Sequence, residues 1–153
     1  MDLPAPTPSG ASASTPTPER EKSATPNVEQ AAFAFFEAMF ARNLEGMRAH
    51  SLTHAELDEL SRRAPPEAEY VAELDEFLRG RVREMTDAPP GTVLLRVEVE
   101  RTETFPAEPE GKRRKDVKVA WVHPVFRVDG AERTGMAFLF IETKSGVKFS
   151  VRH

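Results

Sequence analysis

The stretch 117–143, VKVAWVHPVFRVDGAERTGMAFLFIET, decides the fold. Asp129-Gly130 sits between two apolar alternations, and that pair is a strong hairpin signal because glycine accepts positive φ. With Val128 and Ala131 flanking the turn, antiparallel pairing sets Arg127 opposite Glu132, His123 opposite Met136, Trp121 opposite Phe138 and Val119 opposite Phe140. Opposite charges and aromatic rings then meet across the strands, as stable cross-strand pairs do. Pro124, which has no amide hydrogen, falls opposite Gly135, so the ladder is expected to bend or bulge there.

Strand patterning extends to both sides. In Val93 to Glu100, Val93, Leu95, Val97 and Val99 alternate with Arg96, Glu98 and Glu100, the period of a half-buried strand. After the hairpin, a Ser145-Gly146 turn places Phe149 opposite Glu142, Val151 opposite Phe140 and His153 near Phe138. Trp121, Phe138, Phe140, Phe149 and Val151 are therefore expected to share one face. The sheet is assigned to 91–153.

The preceding segment, 27–86, reads as helices that need that face. Asn27 and Gln30 form a capping-box pattern after Pro26, predicting a helix from about Val28, with Ala32, Phe35, Phe36, Met39 and Phe40 at helical spacing. Leu44 to Ala49 predicts a second helix, Leu52 to Ser61 a third with Thr53 as N-cap, and Glu67 to Met85 the longest. His50 and His54 stand four apart, as two metal ligands on a helix would, but Ser51-Leu52-Thr53 reads as a loop and no third ligand is evident. Neither a metal site nor a cofactor is assigned.

Residues 1–26, rich in Pro, Ser, Thr and Ala, have too few apolar side chains to offset the entropy of ordering and read as a disordered tether. The remaining 27–153 form a single domain, as expected for 153 residues with 39% apolar side chains. A net charge of -4 supplies no global field for nucleic acid. Lys112-Arg113-Arg114-Lys115 invites that reading, but the neighbouring Glu108 and Glu110 favour a solvated hairpin tip. Absence of cysteine excludes disulfides and thiolate chemistry. No apolar run reaches the length of a membrane span. The chain is expected to be soluble as written, or envelope-tethered if an export signal was removed and Met1-Asp2 added.

The stretch Ala32 to Met47, an opening helix, a short polar turn at Asn43-Leu44 and a second helix, resembles the nuclear transport factor 2-like superfamily that includes ketosteroid isomerase and polyketide cyclase-like proteins. Its small lipoprotein-type members, with all helices before the strands, are the most similar in layout. The resemblance implies an α+β cone, with helices packed on a bent four-stranded antiparallel meander; a cystatin-like arrangement is the structural alternative. It also implies a pocket on the concave sheet face and a homodimer through the outer face. On the register above, Trp121, His123, Met136, Phe138, Phe140 and His153 line that pocket, together with Tyr70 from the last helix.

No set of side chains matches the isomerase constellation of a carboxylate base and an oxyanion donor. The expected function is thus a non-catalytic domain that binds a protein or a small apolar ligand. One alternative is an isomerase- or cyclase-type enzyme with His123 as acid/base. Another is a toxin-inhibiting, immunity-type protein.

Overall fold

The computed structural model describes residues 24–151. Four helices, α1 (Ala24–Phe40), α2 (Leu44–Ala49), α3 (His54–Leu60) and α4 (Glu67–Thr86), precede five strands. These are β1 (Val93–Phe105), β2 (Val117–Val128), β3 (Ala131–Thr134), β4 (Phe138–Thr143) and β5 (Gly146–Phe149). The fold is α+β, with an open antiparallel sheet in the order β1-β2-β4-β5 and β3 paired to β2. No helix among the described residues is long and apolar enough to cross a membrane. Residues 1–23 of the expected tether and His153 lie outside the described residues, while 24–26 belong to α1.

Helix α1 begins at Ala24, before the expected capping box, with Pro26 in its first turn, where a missing amide hydrogen costs little. Its buried Ala32, Phe35, Phe36 and Met39 recur at helical spacing and face the sheet. Arg42, at φ 58°, turns the chain into α2, whose N-cap Asn43 accepts from the Gly46 amide at 3.0 Å. On α4, Tyr70, Leu74 and Leu78 form the buried stripe.

The Asp129-Gly130 hairpin forms, pairing Val128 with Ala131 and Arg127 with Glu132. Beyond Val125 opposite Thr134, however, the expected register fails. The run from Glu132 to Thr143 is two strands, and after the break Val122 faces Phe138, Trp121 faces Leu139 and Ala120 faces Phe140. The cause is the Pro124-Gly135 site. A Cβ on Gly135 would stand 3.0 Å from the Pro124 ring, and the Gly135 amide donates to the Pro124 carbonyl at 2.9 Å. One residue is gained in the bend, and a one-residue slip turns every later side chain over.

Trp121 therefore points away from Phe138 and Phe140, and the expected pairs His123 with Met136 and Trp121 with Phe138 do not occur. The last hairpin also differs. Its loop is Lys144-Ser145, and Phe149 pairs with Phe140 rather than Glu142. That shift is by two residues, so Phe149 keeps its face. In β1, irregularities at Leu94/Arg96 and Val99/Arg101 replace the unbroken alternation. As a result Leu94 joins Val97 and Val99 against the core, while Val93 is exposed.

Between the sheet and helices α1 and α4 lies a cluster of six rings: Phe35, Phe36, Phe77, Phe138, Phe140 and Phe149. Phe149 stacks on Phe35 at 4.6 Å and on Phe77 at 5.3 Å, and Phe36 meets Phe138 edge-on at 5.1 Å. Such pairs add roughly 0.5–1.5 kcal/mol each beyond burial. The rings pack against one another on the face where the cone was expected to hold its pocket.

The two faces give a direct test of this register. Phe149→Ala, at a ring 2% exposed, is expected to cost about 3–5 kcal/mol in urea denaturation. Trp121→Ala, on the other and more open face, should cost visibly less. Equal losses would restore the register in which both rings share a core.

Candidate functional site

Residues of the outer sheet face follow from the ladder: Glu103, Arg101 and Glu98 on β1, Val119, Trp121 and His123 on β2, Leu139 and Ile141 on β4, and Lys148 on β5. Several are apolar, and Val119 and Ile141 are each only 5% exposed. Their cover is α3. Between α2 and α3 the chain runs along the free edge of β5, with the Leu52 amide donating to the Phe149 carbonyl at 2.8 Å and the Phe149 amide to the His50 carbonyl at 2.9 Å. It thereby passes from one face of the sheet to the other.

Helix α3 is fastened at both ends. At its start, Thr53 and Glu56 form a reciprocal capping box. The Glu56 carboxylate also accepts from the Ser145 hydroxyl, and Lys148 approaches it at 3.9 Å, which ties the helix to the β4-β5 hairpin. Burial works to raise the Glu56 carboxyl. The Ser145 and Thr53 hydrogen bonds and the Lys148 charge outweigh it and hold the carboxyl below its ordinary value.

At its end, α3 meets the segment between β1 and β2. The Arg62 amide donates to the Lys112 carbonyl at 2.7 Å, and the Arg114 amide to the Leu60 carbonyl at 2.9 Å. Arg62 Nη1 reaches the carbonyls of Glu108, Gly111 and Arg113 at 2.7, 3.1 and 3.1 Å. Arg114 Nε donates to the Asp58 carbonyl at 2.7 Å, and Arg113 pairs with Glu108 at 3.3 Å while lying over Phe105. The basic run is the exposed tip of the β1-β2 connection, as expected, and its backbone also straps the sheet to α3.

Under this bridge runs a groove of about 720 Å³. Leu57 and Leu60 form one wall, and Val117, Val119, Trp121 and Ile141 form the floor. Arg101 closes part of it, with its guanidinium 3.8 Å from the Trp121 ring centre, a cation–π contact. Clefts of about 310 and 240 Å³ lie elsewhere, at Val28, Thr102 and Lys118 and at Phe77, Met136 and Ser150.

The residues singled out from the sequence are dispersed by these arrangements. Trp121 lines the groove and, with Met136 and Phe138, the cleft of about 240 Å³. Met136 is 60% exposed, while Phe140 is packed among the rings and touches the cleft near Val28. Tyr70 is buried and donates its hydroxyl to the Leu52 carbonyl at 2.6 Å.

His123 has both ring nitrogens engaged, Nδ1 with the Gly135 carbonyl at 2.8 Å and Nε2 with Glu100 at 2.7 Å, and lines none of these three clefts. It braces the β1 bulge against the β3-β4 bend. His54 Nε2 donates to the Pro65 carbonyl at 2.7 Å.

Leu57, Leu60, Arg63 and Val151 were not singled out as site residues. A signal was present in Phe138-Leu139-Phe140-Ile141, because a strand apolar at every position is covered on both faces.

Compared with known proteins, the chain matches no family model, no curated protein and no solved structure.

Both fastenings can be tested. A carboxyl held below its unfolded value of 4.5 contributes stability that is complete above that pH and is lost as pH falls through the lower folded value. Glu56→Gln is therefore expected to lose about 1 kcal/mol at pH 7 and to show a shallower decline below pH 4.5, read from urea midpoints at both pH values. Arg62→Ala, which strips the strap carbonyls of their donor, should cost about 1–3 kcal/mol and speed hydrogen exchange at the Arg114 amide.

Proposed function

We propose that this chain is a non-catalytic binding domain of the nuclear transport factor 2-like kind, holding a linear apolar ligand in the groove beneath α3. The order of helices before a bent antiparallel sheet supports the superfamily reading. The observation that carries the function is the pairing of a packed aromatic interior with an apolar groove of about 720 Å³ on the other face. That volume lies in the range of small-molecule sites.

A single chain suits the groove better than a peptide does. Its floor is β2, flanked by β1 and β4, so the backbone there is already paired and offers no edge for an added strand. The walls offer mainly side-chain carbon. Trp121 is the chain's single tryptophan and lines the groove, so its emission reports occupancy.

Titration with the neutral fluorophore N-phenyl-1-naphthylamine should give saturable energy transfer from Trp121 at micromolar concentrations. Ala64→Phe, which adds a ring at the groove wall, should weaken that transfer by about tenfold or more while leaving the far-ultraviolet spectrum unchanged. Non-saturable transfer, or transfer indifferent to Ala64→Phe, would exclude the groove as the site.

A further inference from the structure

Resting on the reading just given, we infer that the ligand of the groove is a single-chain amphiphile with an anionic head, a carboxylate or phosphate, received at the strap end by Arg63. The lining is apolar along α3 and the sheet, and its charge is one-sided. Arg63, Arg101, Lys112 and Arg113 contribute to it, against Glu103 as the sole acid among the lining residues. This local excess of cations stands on a chain whose net charge is -4.

The cations differ in how far they are committed. Arg101 lies on Trp121 and pairs with Glu100 at 2.9 Å and with Glu103 at 3.8 Å. Arg113 shares its charge with Glu108 at 3.3 Å and donates Nε to the Pro106 carbonyl at 2.8 Å. Arg63 is exposed, and among the described residues its guanidinium makes no direct ion pair, its nearest charge interaction being a looser one with the Glu108 carboxylate. It follows Ser61, whose hydroxyl accepts the Arg63 amide at 3.0 Å, so the backbone that carries it is anchored beside the strap.

A guanidinium with no direct hydrogen-bonded acid, lining an apolar groove, offers a two-pronged hydrogen-bond donor to a carboxylate or phosphate. The alkyl chain then lies on Leu57, Leu60, Val119 and Ile141. A cationic head would meet Arg63 with like charge, and a hydroxyl head would form no ion pair with it.

The experiment displaces N-phenyl-1-naphthylamine from the full chain with dodecanoate, dodecyl phosphate, dodecanol and dodecyltrimethylammonium, each below its micellar concentration. Dodecanoate or dodecyl phosphate is expected to bind about fivefold tighter than dodecanol, the advantage of one partly exposed ion pair. The ammonium should be weakest. Which of the two anions binds tighter identifies the head group. Arg63→Gln should bring the ratio of anion to alcohol affinity close to one, as should raising salt to about 0.5 M.

Equal binding of dodecanol and both anions would overturn the inference while leaving the apolar groove intact. A preference that survives Arg63→Gln would overturn the assignment to Arg63. Failure of all four compounds to displace the probe would count against the groove reading itself.

Discussion

Helix α3 lies across the outer sheet face because it is tied down at both ends, and the rest of the architecture depends on that. A seven-residue helix has too few internal hydrogen bonds to persist alone. Glu56 holds its start to the β4-β5 hairpin, and Arg62 binds its end to the strap through three carbonyls. With both ends held, Leu57 and Leu60 are held over Val117, Val119 and Ile141, which would otherwise expose an apolar face to water. The helix is held at its ends more firmly than along its length, and that leaves a groove beneath it.

The bend at Pro124 and Gly135 has an equally far-reaching effect. Proline and glycine opposite one another announce a break in the ladder, and the hairpin up to Thr134 was legible in detail. The break could be located from sequence, but its residue count could not, because whether a bend absorbs zero or one residue depends on three-dimensional closure. That single residue decides whether Trp121 joins the phenylalanines or opposes them. The later discrepancy, Phe149 facing Phe140 instead of Glu142, had no such consequence because a shift of two preserves the face.

The helices, the order of elements and the α+β class could be read from periodicity and turn residues, since these are local signals. The candidate site could not, because it is made by contacts across long sequence distances. Arg62 meets carbonyls more than 45 residues away, and nothing in the exposed run Lys112-Arg113-Arg114-Lys115 shows that its backbone is tied to α3. His123 was a candidate acid/base only through its place beside the expected pocket, and the bend at Pro124 pointed to a structural part. Its two nitrogens hold Glu100 and the Gly135 carbonyl, contacts that stabilise the sheet where β1 bulges.

The two faces of the sheet divide the work of the molecule. Six phenylalanines give the inner face interlocking contacts that supply stability, and burial of rings on this scale is the main favourable term in a domain of this size. The outer face can then remain incompletely filled without loss of the fold. A guest in the groove would add contacts that α3 alone does not make. By mass action such a guest stabilises the fastened arrangement over any state in which α3 has lifted away. Binding and the integrity of the bridge are thus linked in one equilibrium, in which Glu56 and Arg62 set the closed geometry and the apolar floor supplies the affinity.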